Sequence, residues 1–536
     1  MRCFTSLRPF VPLFVSLAIA GCSAGSPPPP TLSREQPPLP AKTTQAIETP
    51  PAPVEVTLLY TTDEHGWLES LPRDGTMRGG VAAFAGQLVK NEGHCPGPAR
   101  YKVNAEESFI SPQSENCKNP KTLLLSGGDN YTGPAISTYF SGEPMAEAIE
   151  RLGYAASAFG NHEFDFGKPQ FPKDRDKAKL RYLSANVRID DPNLAKELDL
   201  RPYEIFERRG VRIGVVGIST VETLKTAFAE RFAGMTFEPV EGALERTIPK
   251  VWEAGADVVV AIAHECPDIL VPTLVKHPEW RLAFVGGGHC HKKMHEHAGD
   301  VSVMSPEWRI HQYTRVALQV DRSLPAKARL VSVKADFVDV AASPQVLADP
   351  VLTEMVKVWK EKVDKALGVT IGHSKGGIGP EAFVGQMVAN AWLAEVGGDV
   401  AIMNQGGIRQ PIPAGPITYA TIWGVLPFDN RLMKLSVLGE DLTKELENTN
   451  FIAAGAEKRA KGQWFIGGKP LDKKKRYTVL ITDFMYTGGD NSLFGKYDPK
   501  GVGTGIQWRD PVIAWIEKQK TTPTAPLEDK LPKQAK

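Results

Sequence analysis

Short apolar runs alternate with amphipathic stretches along most of the chain. Residues 54–62, 123–125, 155–159, 257–263 and 282–285 are apolar and rich in branched side chains, the pattern of strands buried on both faces. Between them, 143–152 and 241–254 carry apolar residues at helical spacing, so β and α elements alternate. A longer helical pattern at 350–367 has Lys and Glu between its apolar positions and predicts an amphipathic connector. Beyond it, 381–394 reads as a helix. Residues 372–379 read as a plain loop, because H-S-K-G-G-I-G lacks the residue order of a phosphate loop. The expected fold is α/β, with two domains on either side of the connector.

The first residues follow a different pattern. Arg2 and Arg8 precede an apolar run at 10–20 that is too short to span a bilayer, the order of an export signal. It ends in Ile19-Ala20-Gly21-Cys22, which resembles the lipobox of bacterial lipoproteins, in which the Cys is lipidated. Ser23 in place of an acidic residue implies, by that resemblance, outer-membrane sorting within the cell envelope and a periplasmic location. Residues 23–53 are rich in Pro, Ser and Thr and predict an extended tether. The chain has 536 residues, 42% hydrophobic and 23% charged, enough for two or three cores. A formal net charge of +1 and the lack of a basic stripe with interleaved aromatics argue against a nucleic acid polymer as partner. Of the six cysteines, Cys95 and Cys117 flank a polar stretch that a disulfide could close, which an exported address permits. Cys266 and Cys290 are either a second bridge or two buried thiols.

Polar residues concentrate where the strands end. The run at 54–62 stops at Asp63-Glu64-His65-Gly66, and 123–125 lead into Ser126-Gly127-Gly128-Asp129. The run at 155–159 is followed by Gly160-Asn161-His162-Glu163-Phe164-Asp165, and 257–263 end at His264. Residues 282–285 run into Gly286-Gly287-Gly288-His289-Cys290-His291. One such pair is weak evidence, but five strand ends carrying oxygen and imidazole donors are what a dinuclear metal site requires.

On these motifs the chain resembles the calcineurin-like metallophosphoesterases, and more closely the bacterial periplasmic 5′-nucleotidase and UDP-sugar hydrolase family. The resemblance implies a four-layer αββα metallophosphoesterase domain at 54–340, a connector helix within 341–368, and a smaller α/β substrate-binding domain at 369–519. A polar tail follows at 520–536. It also implies two divalent metal ions (Zn, Mn, Fe or Co). Asp63, His65 and His291 would hold one, Asn161, His264 and His289 the other, with Asp129 bridging. His162 resembles the family's catalytic His, oriented by Asp165. Ser126 and Gly127 stand where many relatives have Asp and Ala.

Three later stretches resemble the family's nucleotide-binding part: N-Q-G-G-I-R at 404–409, L-P-F-D-N at 426–430 and F-M-Y-T-G-G-D-N at 484–491. They imply that Phe428 and Phe484 sandwich a base, that Asp490 binds ribose hydroxyls, and that Asn404, Arg409 and Asn430 hold base or phosphate. The family's further arginines are missing, with Pro380 and Gln386 near their places; Lys375 could compensate. The implied activity is hydrolysis of nucleotide phosphate esters. The alternatives are hydrolysis of 2′,3′-cyclic nucleotides or UDP-sugars, sulfur-ester hydrolysis, which the N-H-E-F-D stretch disfavours, and a non-catalytic binding lipoprotein.

Overall fold

The computed structural model describes residues 52–73, 75–101, 115–342, 347–459 and 462–531. The expected export signal, Cys22 and all but the end of the expected tether lie outside these residues. Among the described residues no helix is long and apolar enough to cross a membrane.

Two six-stranded sheets dominate residues 54–339. In chain order their strands are β1 (Val54–Thr61), β2 (Thr122–Ser126), β3 (Ala156–Ala158), β4 (Arg181–Leu183), β5 (Tyr203–Arg208) and β6 (Val211–Ser219), then β7 (Val258–His264), β8 (Leu282–Gly286), β9 (Lys293–Ala298), β10 (Val301–Pro306), β11 (Gln312–Val320) and β12 (Leu330–Asp339). The first sheet runs β12-β11-β1-β2-β3-β4, the second β9-β10-β8-β7-β6-β5. Both are parallel at the centre, β1 to β4 in one and β6, β7, β8 and β10 in the other.

Alternate residues of each central strand serve different layers. Val56, Leu58 and Tyr60 of β1 pack with Val258, Val260 and Ile262 of β7 in one core between the sheets. Leu59 and Leu124 face a second core with Phe84, Met145 and Ile149, while Val259, Ala261 and Ala263 face a third with Leu244, Ile248 and Leu270. The helices behind these cores are α1 (Val81–Gln87), α2 (Glu143–Leu152), α3 (Val240–Glu253) and α4 (Pro267–Lys276). Four layers, αββα, result. Burial on both faces explains why the strands read as unbroken apolar runs.

Helix α5 (Pro350–Leu367) is docked rather than free. Leu352, Met355, Trp359 and Val363 join the core of α1 and α2. Asp349 caps it by accepting from Leu352 N at 2.9 Å and pairs with the buried Arg151 at 2.6 Å. A third sheet follows, with strands β13 (Val400–Asn404), β14 (Arg431–Leu438), β15 (Phe451–Ala454), β16 (Arg476–Thr482) and β17 (Val502–Gln507) in the order β15-β13-β16-β14-β17. Helices α6 (Glu381–Val396) and α7 (Asp510–Gln519) cover one face of it.

Two segments differ from the sequence reading. The start of the supposed loop at 372–379 is strand: residues 370–374 pair with 415–418, because Ile371 and Ser374 find buried positions there. The polar stretch after residue 519 docks through 531: Leu527 is fully buried, and Glu528 accepts from Ser374 Oγ at 2.8 Å. The disulfide Cys95–Cys117 is present, and Cys266 and Cys290 are thiols.

His94, beside that disulfide, yields a test of this packing. It is buried, its Nε2 donates to the Leu152 carbonyl at 2.8 Å and its Nδ1 accepts from Thr122 Oγ1 at 2.9 Å. Burial pushes its pKa from 6.5 down to about 4. The unfolded chain therefore takes up this proton first as pH falls. The contribution of His94 is complete above pH 6.5 and is lost on the way to pH 4, a loss on the order of 3 kcal/mol. Urea unfolding of His94→Gln between about pH 4 and 7 should show a shallower fall in stability than the wild type; parallel slopes would contradict this reading.

Candidate metal centre and adjoining cavity

The parallel strands end on one side of the molecule, where their loops converge, the usual place for a site in an α/β fold. After β1 come Asp63 and His65, after β2 Asp129, after β3 Asn161, His162 and Asp165. His264 is the last residue of β7, and His289 and His291 follow β8. Backbone bonds tie the loops together: Asp63 N donates to Gly128 O at 2.9 Å, and His65 N to Asp129 O at 3.0 Å. Five of these residues have left-handed backbones, with φ of 52° at Asp63, 45° at His65, 61° at Asp129, 69° at His289 and 55° at His291. Side chains other than Gly rarely adopt that region, and where they do the surrounding structure must hold them.

The side chains aim acceptors at acceptors. His65 Nδ1 faces the Thr132 carbonyl at 2.9 Å and His264 Nδ1 the Gly127 carbonyl at 2.9 Å, which assigns the proton of each ring to Nδ1. Each Nε2 then presents a lone pair inward. His65 Nε2 is 3.0 Å from His291 Nε2, and Asp63 Oδ1 is 3.4 Å from His291 Nε2. His264 Nε2 lies 3.0 Å from Asp129 Oδ2, 2.9 Å from Asn161 Oδ1 and 3.3 Å from His289 Nδ1. Asp63 Oδ1 is buried without a hydrogen-bond partner. Such a cluster fits cations. Its donor atoms form two groups that could each hold a metal ion, Asp63 with His65 and His291, and Asp63 with Asp129 and His264. Asp129 Oδ2 also lies 3.9 Å from His65 Nε2 and so faces both groups.

With no cation bound, a proton on His264 offsets part of the negative charge of the cluster. Burial disfavours charge on His264, yet the Asp129 carboxylate outweighs it and lifts its pKa to about 10. Burial and the charge of His264 push His289 down to about 3. Burial, then the Arg409 guanidinium, hold His65 well below the ordinary imidazole range.

His162 stands at the edge of the cluster. Its backbone N donates to Asp129 Oδ1 at 2.8 Å, and its Nδ1 is 2.8 Å from Asp165 Oδ2. Arg231 holds Asp165 in turn, donating to its carbonyl at 2.5 Å. A cavity of about 590 Å³ opens beside them, lined by Asp129, Asn161, His162, Asp165, His289 and His291 on one side. Asn404, Arg409, Phe428, Asn430, Phe484 and Asp490 line the other.

The structure thus brings the sequence-expected metal, catalytic and substrate residues between Asp63 and Asp490, Lys375 apart, to one place. Arg409 Nη2 approaches His65 Nε2 to 2.8 Å. Phe428 stacks on His162, ring centroids 5.2 Å apart and 17° from coplanar, and Phe484 meets Phe228 edge-on at 5.6 Å. Asn404 donates to Asp490 Oδ2 at 2.7 Å, and Asn430 to Asp483 Oδ1 at 3.3 Å.

Several contributors went unread in the sequence. Trp308 stacks on His291 at 4.2 Å, and the buried Arg309 bonds the Arg409 carbonyl. Glu163 accepts from Asp129 N at 2.9 Å, and Glu64 from Ser126 Oγ at 2.8 Å. The two glutamates sit inside motifs already noted; Trp308, Arg309, Phe228 and Arg231 carry no local signal. Lys375 is exposed and, like Pro380 and Gln386, does not line the cavity, whose arginines are Arg231, Arg409 and Arg509. At Gly127 there is no room for a side chain, since an added Cβ would meet Tyr60 Oη at 2.3 Å.

Fold and site together define a metallophosphoesterase of the calcineurin-like class. Residues 370–463 match the family described as 5′-nucleotidase, C-terminal domain. The chain is 27% identical over 450 residues to the 5′-nucleotidase of Vibrio cholerae, covering 72% of this chain and 80% of that one. It is 25% identical to Protein UshA of Escherichia coli, with 89% and 93% covered. The crystal structure of a 5′-nucleotidase precursor from Thermus thermophilus superposes with a TM-score of 0.71 at 22% identity, covering 88% and 97%. The match at 370–463 and the likeness along most of the chain are both to 5′-nucleotidases.

The tightness of the loops is testable at Gly160, where an added Cβ would stand 2.1 Å from Asp129 Oδ1 and 2.7 Å from its backbone N. Gly160→Ala should cost about 1–3 kcal/mol in denaturant unfolding and lower bound metal, since the Asp129 carboxylate must move. Wild-type stability and metal content would show that the loop has room to spare.

Proposed function

We propose that this chain is a metal-dependent phosphohydrolase of nucleotides, of the 5′-nucleotidase type, with two divalent ions. The observation that carries the reading is that one cavity joins the inward-facing acceptor cluster to Phe428, Phe484 and Asp490. Asp63, His65 and His291 would hold one ion and Asn161, His264 and His289 the other, with Asp129 between them. When bound, such ions activate water and neutralise phosphoryl charge.

The chain's own groups do the rest. His65 and His264 are held through Nδ1 by the carbonyls of Thr132 and Gly127, so Nε2 of each is the nitrogen turned inward that would ligate an ion. Asp165 orients His162 through Nδ1, leaving Nε2 to hydrogen-bond a phosphoryl oxygen or to pass a proton to the departing alkoxide. Arg409 supplies a buried guanidinium beside the cluster for a phosphate. Phe428 and Phe484 offer two apolar faces to a base, Asp490 accepts from ribose hydroxyls, and Asn404 and Asn430 hold polar edges. Residues 54–340 act as the reacting domain, and 369–519 as the substrate domain joined to it by α5. We place the protein in the cell envelope, exported and anchored through a lipid on Cys22.

Three variants separate these roles. Asp129→Asn should lose turnover and most bound metal, because it faces both donor groups; normal activity would end the dinuclear reading. His162→Ala should keep its metal while kcat falls by roughly 10² or more. An equal loss of metal would make His162 a ligand instead. Phe428→Ala or Phe484→Ala should raise KM for a nucleoside monophosphate by about tenfold to a hundredfold, as for a lost stacking contact of roughly 1–3 kcal/mol. An aryl phosphate has no nucleobase to clamp and should be turned over nearly as before. Equal damage to both substrates would make the aromatics structural and remove the nucleotide assignment's main support.

A further inference from the structure

Beside the oxygen and nitrogen cluster lies a group of sulfur atoms that the proposed reaction does not use. Cys266 stands two residues after His264, at the start of α4, and Cys290 stands between His289 and His291. Their loops run side by side, with Gly288 N donating to Glu265 O at 2.9 Å and Gly287 packed so tightly on Pro267 that an added Cβ would meet its Cδ at 2.9 Å. Cys290 Sγ donates to the carbonyl of Gly288, the residue whose N bonds Glu265 next to Cys266, at 3.4 Å. Met294, on β9, brings its Sδ to 3.7 Å from Cys290 Sγ. Unlike Cys95 and Cys117, which are joined, this pair is unbonded, and all three side chains are half-buried, within reach of solvent.

Two thiols and a thioether make a soft donor set. Thiolate and thioether together favour Cu(I), whereas the hard oxygen and imidazole donors nearby suit Zn, Mn, Fe or Co. A trigonal ion with bonds of about 2.3 Å holds its sulfurs about 4 Å apart, so the 3.7 Å between Cys290 and Met294 needs little adjustment. We propose that Cys266, Cys290 and Met294 form a binding site for a monovalent thiophilic ion of the Cu(I) class, separate from the hydrolytic metals. On binding, the two thiols release their protons, each sulfur donates a lone pair, and nothing is oxidised or reduced.

The test is an anaerobic titration of the full-length, metal-loaded protein with Cu(I), buffered by a chromogenic Cu(I) chelator. One Cu(I) per chain should bind, with sulfur-to-copper charge-transfer absorption in the ultraviolet and three sulfur neighbours by X-ray absorption. Cys266→Ser should bind roughly tenfold or more weakly and lose that absorption. Met294→Leu, an apolar swap of similar volume, should keep the absorption but lose one sulfur neighbour, which guards against misfolding of the Cys variant. Unchanged Cu(I) affinity in Cys266→Ser would put the ion on the imidazoles and overturn the proposal. So would mass spectrometry finding Cys266 and Cys290 joined to each other in the exported protein.

Discussion

Lone pairs from five loops point at one another in this molecule, and only positive charge can hold them there. His65 against His291, and His264 against Asp129 and Asn161, are contacts between groups that repel unless a cation or proton lies among them. The two six-stranded sheets can be understood as what resists that repulsion. Strands buried on both faces anchor the loops at their roots, and backbone bonds from Asp63 to Gly128 and from His65 to Asp129 lock them to each other. Behind the loops, Glu64 and Glu163 absorb the remaining donors. Burial lifts the Glu64 carboxyl to about 7, a sign of how little water reaches this layer.

The second part of the chain answers the same charge from the opposite side. Arg409 reaches His65, and its own carbonyl is taken by Arg309 from the first part. Phe428 covers His162, and Phe228 meets Phe484. These contacts exist because α5 is buried in the core of α1 and α2 and capped by Asp349, so the connector fixes where the third sheet begins.

Much of this was legible in the sequence because the strands are short, apolar and followed at once by chemistry. A run ending in Asp-x-His or Gly-Asn-His states both an element and its function, and the helices at 143–152 and 350–367 have the expected bounds. What the sequence concealed depends on tertiary contact. Ile371 and Ser374 belong to a strand only because 415–418 lie alongside, and the polar stretch after 519 is ordered by one buried Leu527 and the bonds of Glu528. Trp308, Phe228 and Arg231 lie in stretches without a motif, and their roles arise from folding against His291, Phe484 and Asp165.

The left-handed backbones at Asp63, His65, Asp129, His289 and His291 have one more consequence. Asp, Asn and His are the side chains that best tolerate that region after Gly, and they are also the ones that bind metals through oxygen or imidazole. Geometry and coordination therefore draw on the same small alphabet at these five positions. An identity kept there among relatives would not by itself reveal which demand preserved it, and a relative that had lost its chemistry could retain these letters for the sake of its turns.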